Sequence, residues 1–252
     1  ADSLLITAGA GMGVDAGLPD FRGTQGFWRA YPALGRSRIR FEEIASPATF
    51  ESDPELAWGF YGHRLNLYRH TEPHAGHRIL REWARRMPNG AFVFTSNVDG
   101  LFQKAGFADV VECHGSIHRV QCTARCSADV TLTDDIWPIV DEEHCRLLSP
   151  LPTCKSCGAL LRPNILMFGD WAWEPRVTRE QHAKLERWLS RSTRPLVIEL
   201  GAGSSIPTVR DFSEGQGAPL IRINPTEPEI CVARGVSVQA GAMEALQAIH
   251  TL

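Results

Sequence analysis

The chain has no apolar run long enough to cross a bilayer, no internal repeat and no low-complexity tract. A membrane-spanning helix is therefore not expected. It also lacks an excess of charge of either sign: the formal net charge is −3 over 252 residues. No global basic field is available for nucleic acid, and direct nucleic-acid binding is not expected. No signal-peptide pattern precedes Leu4-Leu5-Ile6-Thr7, which is already strand-like. An even disulfide set is missing too. There are seven cysteines, with Cys122, Cys126, Cys154 and Cys157 in close pairs. That usage favours metal over disulfides and hence a reducing compartment, the cytoplasm. No helical pairing stripe stands out, so a monomer is expected.

What is present suits an ordinary soluble core. Hydrophobic residues make up 43% of the chain, and the length allows one large or two unequal domains. Apolar runs at residues 4–8, 91–96, 110–113, 165–168, 195–200, 220–224 and 236–239 end in turn-forming residues and read as buried parallel strands. Helical spacing at residues 75–86, 177–191 and 242–249 alternates with them. The pattern predicts a doubly wound α/β core. Residues 24–70, with helical stretches near 41–44 and 54–68, and residues 116–162 break the alternation. They read as insertions that build a smaller lobe facing the carboxyl ends of the strands.

Several short motifs carry chemistry. Gly9-Ala10-Gly11 follows the first strand and offers backbone N–H groups to a phosphate. Val14 stands where a dehydrogenase fingerprint has Gly or Ala. In Gly17-Leu18-Pro19-Asp20-Phe21-Arg22-Gly23, Arg22 is suited to phosphate or ribose and Phe21 to shielding a reactive sugar carbon. Asn97 and Asp99 at a strand end can orient a sugar, an amide or a water, and His114 is a candidate general base. His63, His118 and His144 lack such a context and read as structural or surface residues. Cys122-x3-Cys126 and Cys154-x2-Cys157 have the spacing of a closed, structural zinc site, with Cys145 as the one substitute ligand. Tyr61 and Arg64 share a helix face and together suit a carboxylate. Taken singly, each has a plainer reading: a ligand-free glycine turn, turn formers, a structural histidine, an amphipathic helix.

In this order the motifs resemble the sirtuin family, the NAD-dependent protein lysine deacylases, in a bacterial-type pattern. The resemblance implies an α/β fold: a Rossmann-like doubly wound parallel sheet over residues 1–23, 71–115 and 163–252. A smaller zinc-binding domain comes from the insertions, with helices in 24–70 and the zinc module in 116–162. It implies that Gly9, Ala10, Gly11, Asp20, Phe21, Arg22 and Ser96 line the NAD site. Gly201, Ser204 and Asn224 fall where the family holds the adenosine half. Asn97 would position ribose and water, Asp99 the nicotinamide carboxamide, and His114 would act as base toward a ribose hydroxyl. Ile165, Leu166, Phe168 and Gly169 resemble the strand that pairs with an acyl-lysine protein or peptide. Tyr61 and Arg64 match the Tyr-x-x-Arg of sirtuins that remove succinyl, malonyl or glutaryl groups. The implied cofactors are NAD as co-substrate and structural Zn²⁺, and the implied products are nicotinamide, free lysine and an O-acyl-ADP-ribose. The chain departs from the family at Gly13 and Ala16 (usually serines), Ser96 (usually Gln), the Gly201-Ala202-Gly203 turn (usually Gly-Thr-Ser) and Asp170 (usually Glu). Mono-ADP-ribosyl transfer or NAD hydrolysis is the alternative activity on the same fold, and an NAD sensor without turnover is the alternative of another class.

Overall fold

The computed structural model describes residues 1–19 and 23–252. The expectations for Asp20, Phe21 and Arg22 lie outside the described residues. In chain order the strands are β1 (Ser3–Ala8), β2 (Ala91–Thr95), β3 (Val110–Glu112), β4 (Gly115–Cys122), β5 (Thr131–Leu132), β6 (Val140–Asp141), β7 (Arg146–Leu147), β8 (Leu161–Ile165), β9 (Pro195–Leu200), β10 (Leu220–Ile223) and β11 (Gly235–Val238).

Six of these strands form one parallel sheet in the order β11-β10-β9-β1-β2-β3. Every residue of β1 is buried, as a strand covered on both faces requires. Its side chains alternate between two cores. Leu4 and Ile6 join Val93, Leu200 and Leu246 on one side, where helices Ala75–Arg86 and Ala242–His250 lie. Leu5 joins Phe92, Phe94, Val197, Leu185 and Val209 on the other, under helices Arg176–Leu189 and Thr208–Gly215. The fold is thus the expected Rossmann-like, doubly wound α/β type. The order of strands reverses between β1 and β9, and ligands of open α/β sheets bind at such a switch point.

A third core gathers Phe27, Tyr31, Trp58, Phe60, Tyr61, Leu65, Ile117, Val120 and Leu147. It draws on helices Gly23–Ala30, Pro32–Arg36, Phe41–Ile44, Pro47–Ser52 and Pro54–His70. It also draws on two antiparallel sheets, β5-β4-β8 and β6-β7. Helix Pro54–His70 begins on a proline, with Asp53 accepting from the Leu56 N–H at 3.1 Å. Trp58 Nε1 donates to the Leu161 carbonyl and Asn66 Nδ2 to that of Pro138, each at 2.8 Å. These bonds fix the helix against the cysteine-bearing segment.

The structure corrects three expectations. The strand expected at residues 165–168 lies earlier, as β8, and residues 166–168 belong to no strand. The Leu166 N–H goes to the His114 carbonyl at 2.9 Å and the Phe168 N–H to that of Ala45 at 3.0 Å. Two separate segments take those donors, so no ladder forms. β4 and helix Thr208–Gly215 were not expected, and the helical insertion holds three helices (Gly23–Ala30, Pro32–Arg36, Pro47–Ser52) besides the two stretches located from the sequence. β4 is buried at both ends and shows little alternation. Cys145 does not join the other thiols; it packs in the third core, 2% exposed. Among the described residues, no helix is long and apolar enough to cross a membrane.

Candidate active site

The nucleotide-side candidates stand directly after the carboxyl ends of parallel strands. Gly9, Ala10 and Gly11 follow β1, Ser96, Asn97 and Asp99 follow β2, and His114 follows β3. Gly201 and Ser204 follow β9, and Asn224 follows β10. Because the sheet order is β10-β9-β1-β2-β3, they form a row along one edge with the glycine turns at its centre.

At that centre two backbones touch. A Cβ on Gly9 would stand 2.7 Å from Ala202 Cα, and one on Gly201 would stand 2.5 Å from Gly11 Cα. Gly201 also sits at φ +58°, a region costly for side-chain-bearing residues. The Gly11 N–H donates to the Gly201 carbonyl at 3.0 Å. Glycine at these positions lets the turns after β1 and β9 pack main chain against main chain at the switch point.

On the β9 and β10 side, Asn224 is fully buried. Its Nδ2 donates to the Ala202 carbonyl at 2.9 Å, and its Oδ1 accepts from the N–H groups of Thr226 and Glu227, each at 3.0 Å. It shapes the loop from beneath. Ser204 donates its hydroxyl to Glu227 Oε1, and its N–H lies 3.2 Å from Oε2.

On the β2 and β3 side, Asn97 Nδ2 donates to the Gly9 carbonyl at 3.0 Å across 88 residues of chain. Thr95 secures the same turn: its hydroxyl donates to the Ala8 carbonyl at 2.8 Å and accepts from the Asn97 N–H at 3.0 Å. The Ser96 N–H bonds to Ala8. The Asp99 carboxylate is 8% exposed and accepts from the Leu101 N–H at 2.8 Å. Burial, helped by the charge of Glu112, pushes its pKa up to about 6 against the opposing pull of the Leu101 N–H and Arg64. Gly13 lies alongside, so that a Cβ there would stand 3.7 Å from Asp99 Oδ2.

His114 occupies the turn between β3 and β4. That turn depends on Gly115, at φ +77°, where a Cβ would fall 2.1 Å from the Asn164 carbonyl oxygen. Burial lowers the His114 pKa, which keeps the imidazole neutral and able to accept a proton. His118, read from the sequence as a structural or surface residue, is within this site. Its Nε2 donates to the Asp99 carbonyl at 2.8 Å. No local signal marks it, because it reaches Asp99 only through the path of β4. It lines a cavity of about 370 Å³ together with Tyr68, Asp99 and Ser116.

The remaining candidates frame the mouth. Ile165 and Met167 face inward, while Leu166 and Phe168 are 39% and 37% exposed. Phe168 meets Phe41 edge-on at 5.7 Å. Beyond Gly169, Asp170 makes a bidentate pair with Arg162 at 2.6 and 2.9 Å, both side chains buried. Removing one partner of such a pair costs about 3–5 kcal/mol. Tyr61 and Arg64 are buried on helix Pro54–His70, and burial pushes the Tyr61 hydroxyl up to about 12.

The cysteines meet as spaced. The sulfurs of Cys122, Cys126, Cys154 and Cys157 all lie within 4.8 Å of one another. Two edges of that group measure 3.6 Å. A tetrahedron with metal–sulfur bonds of about 2.3 Å has edges of about 3.8 Å, so this group fits a four-coordinate metal ion with no open position.

The "Sir2 family" model matches residues 9–187. The chain is 28% identical to a protein of Aquifex aeolicus named NAD-dependent protein deacylase, over 98% of this chain and 94% of that one. It is 31% identical to one of the same name from Thermococcus sibiricus, over 98% of this chain and 89% of that one. A solved structure of a Sir2 homologue in complex with NAD superposes with a TM-score of 0.73 at 29% identity. That alignment spans 99% of this chain and 88% of the other.

Proposed function

The chain belongs to the Sir2 family, and from that premise we propose how its residues divide the work. The protein is an NAD-dependent protein lysine deacylase, releasing nicotinamide and an O-acyl-ADP-ribose. NAD, consumed as co-substrate, supplies a ribose carbon that accepts the acyl oxygen as nicotinamide departs. The observation that carries the residue assignments is the convergence of the glycine turn, Asn97, Asp99 and His114 on the carboxyl ends of β1, β2 and β3.

Gly9, Ala10 and Gly11 form the turn that the phosphates approach, with the Gly9 and Gly11 N–H groups held by the Leu200 and Gly201 carbonyls, and Ser96 borders the ribose. Asn97, its amide plane fixed by Gly9, orients ribose and water. Asp99 holds the nicotinamide carboxamide. His114, kept neutral by burial, takes a proton from a ribose hydroxyl. Asp20, Phe21 and Arg22 belong to the NAD-binding residues, and Gly201, Ser204 and the Asn224-supported loop lie at the adenosine end. Leu166, Phe168 and Gly169, backed by Ile165, form the ledge for the substrate peptide. The ion in the cysteine cluster is zinc, bound structurally. The protein works as a monomer in the cytoplasm, whose reducing conditions keep the four thiols able to bind it. The acyl groups it prefers carry a carboxylate, met by Tyr61 and Arg64; a buried guanidinium beside a phenol supports this choice.

The test is mass spectrometry of protein incubated with NAD and matched acetyl-, succinyl- and crotonyl-lysine peptides. Acyl loss coupled to O-acyl-ADP-ribose is expected, fastest on succinyl. Nicotinamide release without acyl loss points to ADP-ribosyl transfer or NAD hydrolysis instead. His114→Ala is expected to lower turnover about 10²–10⁴-fold while NAD binding by calorimetry persists. A fully active variant sinks the base assignment.

A further inference from the structure

Strand β4 grips the Asp99 loop from two adjacent residues. Opposite β8 that strand is irregular: Ser116 faces Asn164 and Val120 faces Pro163, so Ile117, His118 and Arg119 pass without a partner on β8. Two of them turn to the loop after β2. The Ile117 N–H donates to the Val98 carbonyl at 3.0 Å, and His118 Nε2 donates to the Asp99 carbonyl at 2.8 Å. Those carbonyls belong to the two peptide planes that flank the Asp99 Cα. A peptide unit is rigid, so holding both planes fixes φ and ψ of Asp99 and the direction of its Cα–Cβ bond. The imidazole lies against Gly100, at φ +75°, where a Cβ would stand 2.8 Å from the ring Cδ2 and 2.9 Å from Nε2. Glycine gives both this backbone turn and room for the ring. The carboxylate is then turned by the Leu101 N–H, 2.8 Å from Oδ1, which leaves Oδ2 on the side of Gly13.

We infer that His118 is a positioning residue for nicotinamide: by holding the Asp99 carbonyl it fixes how Asp99 presents its carboxylate. The inference rests on the reading of Asp99 as the residue that holds the nicotinamide carboxamide. A carboxylate accepts from a carboxamide N–H in a hydrogen bond that weakens steeply once its direction is lost. The Asp99–Gly100 peptide is followed by the least restrained residue type. Without the imidazole that peptide is free to rotate, and the carboxylate swings with it. Burial lowers the His118 pKa, so the ring stays neutral, with its proton on the nitrogen that meets the carbonyl. His118 belongs to β4, whereas the glycine turns at the phosphate and adenosine end follow β1 and β9. Its effect is therefore confined to the nicotinamide end, and ADP-ribose, which is NAD without nicotinamide, binds as before.

The experiment is equilibrium binding, which needs no turnover: ADP-ribose to the protein, then labelled nicotinamide to the ADP-ribose-loaded protein. The variants are His118→Phe, His118→Gln and Asp99→Ala. Phenylalanine keeps a ring against Gly100 but has no donor, and glutamine restores a donor at similar reach. His118→Phe is expected to raise the nicotinamide Kd about fivefold, the measure of one neutral hydrogen bond, and to leave the ADP-ribose Kd unchanged. His118→Gln keeps both constants, and Asp99→Ala raises the nicotinamide Kd further. A purely structural role weakens both ligands together, and equal losses overturn the inference, as does a glutamine variant no better than phenylalanine. If Asp99→Ala weakens nicotinamide while His118→Phe does not, the Asp99 contact stands and the role of His118 is overturned. If Asp99→Ala leaves nicotinamide binding as it was, the reading of Asp99 and this inference fall together.

Discussion

Replacing Asp99 by Asn is expected to stabilise the fold while impairing the enzyme. The carboxylate is 8% exposed, and its pKa is raised from 3.8 to about 6, chiefly by burial. The folded protein therefore binds this proton more tightly than the unfolded chain does. The stability that this preference confers is fully present below about pH 4 and is lost as the pH rises through the folded value near 6. At 1.36 kcal/mol per pH unit, the difference amounts to about 3 kcal/mol at pH 7.5. Asparagine keeps an oxygen for the Leu101 N–H, which now lies 2.8 Å from the carboxylate, and does not ionise. For a chain of this size the gain corresponds to roughly 6–12 °C in Tm. Thermal unfolding of both proteins from pH 4 to pH 8 reads it directly. The variant should melt higher at pH 7.5, the two curves should converge toward pH 4, and nicotinamide release should fall. A variant less stable at pH 7.5, or a gap that does not narrow on acidification, refutes the argument.

Two further outcomes follow from the same geometry. A serine at position 13 would start from a Cβ 3.7 Å from Asp99 Oδ2 and 3.0 Å from Leu18 Cδ1. Once Leu18 shifts by a few tenths of an ångström, the new hydroxyl donates to the carboxylate. Gly13→Ser should then lower the Asp99 pKa and move the acid limb of the pH–rate profile down by about one unit; an unmoved limb counts against it. Removal of the metal should release one ion per chain and strip hydrogen-exchange protection from the β4 to β8 segment, while the parallel sheet stays protected. Cys126→Ser, one of the four thiols in the cluster, should reproduce this without chelator. Unchanged protection in the metal-free protein excludes a structural role.

Local pattern determined a great deal. β1 is legible because a strand buried on both faces is a continuous apolar run, and helix Ala75–Arg86 because one face is apolar and the other charged. The cysteine pairs announced their cluster because thiolate spacing around a tetrahedral ion is set by short chain segments. The glycine turn, Asn97, Asp99 and His114 were legible as strand-end residues, and their order carried the family resemblance.

Other features were decided only when distant segments packed. Nothing local says that β9 lies beside β1, so the contact of Gly201 with Gly11 at the switch point is a property of the assembled sheet. Residues 166–168 look like a strand, yet their donors go to Ala45 and His114 in separate segments. The bond from His118 to the Asp99 carbonyl depends on the path of β4. The raised pKa of Asp99 depends on burial, and the packing of Tyr31 near Arg64 depends on two helices meeting in one core. Sequence periodicity encodes which face of an element is apolar. Which faces meet, and what dielectric and partners each buried group then finds, is fixed by strand order and packing across the whole chain.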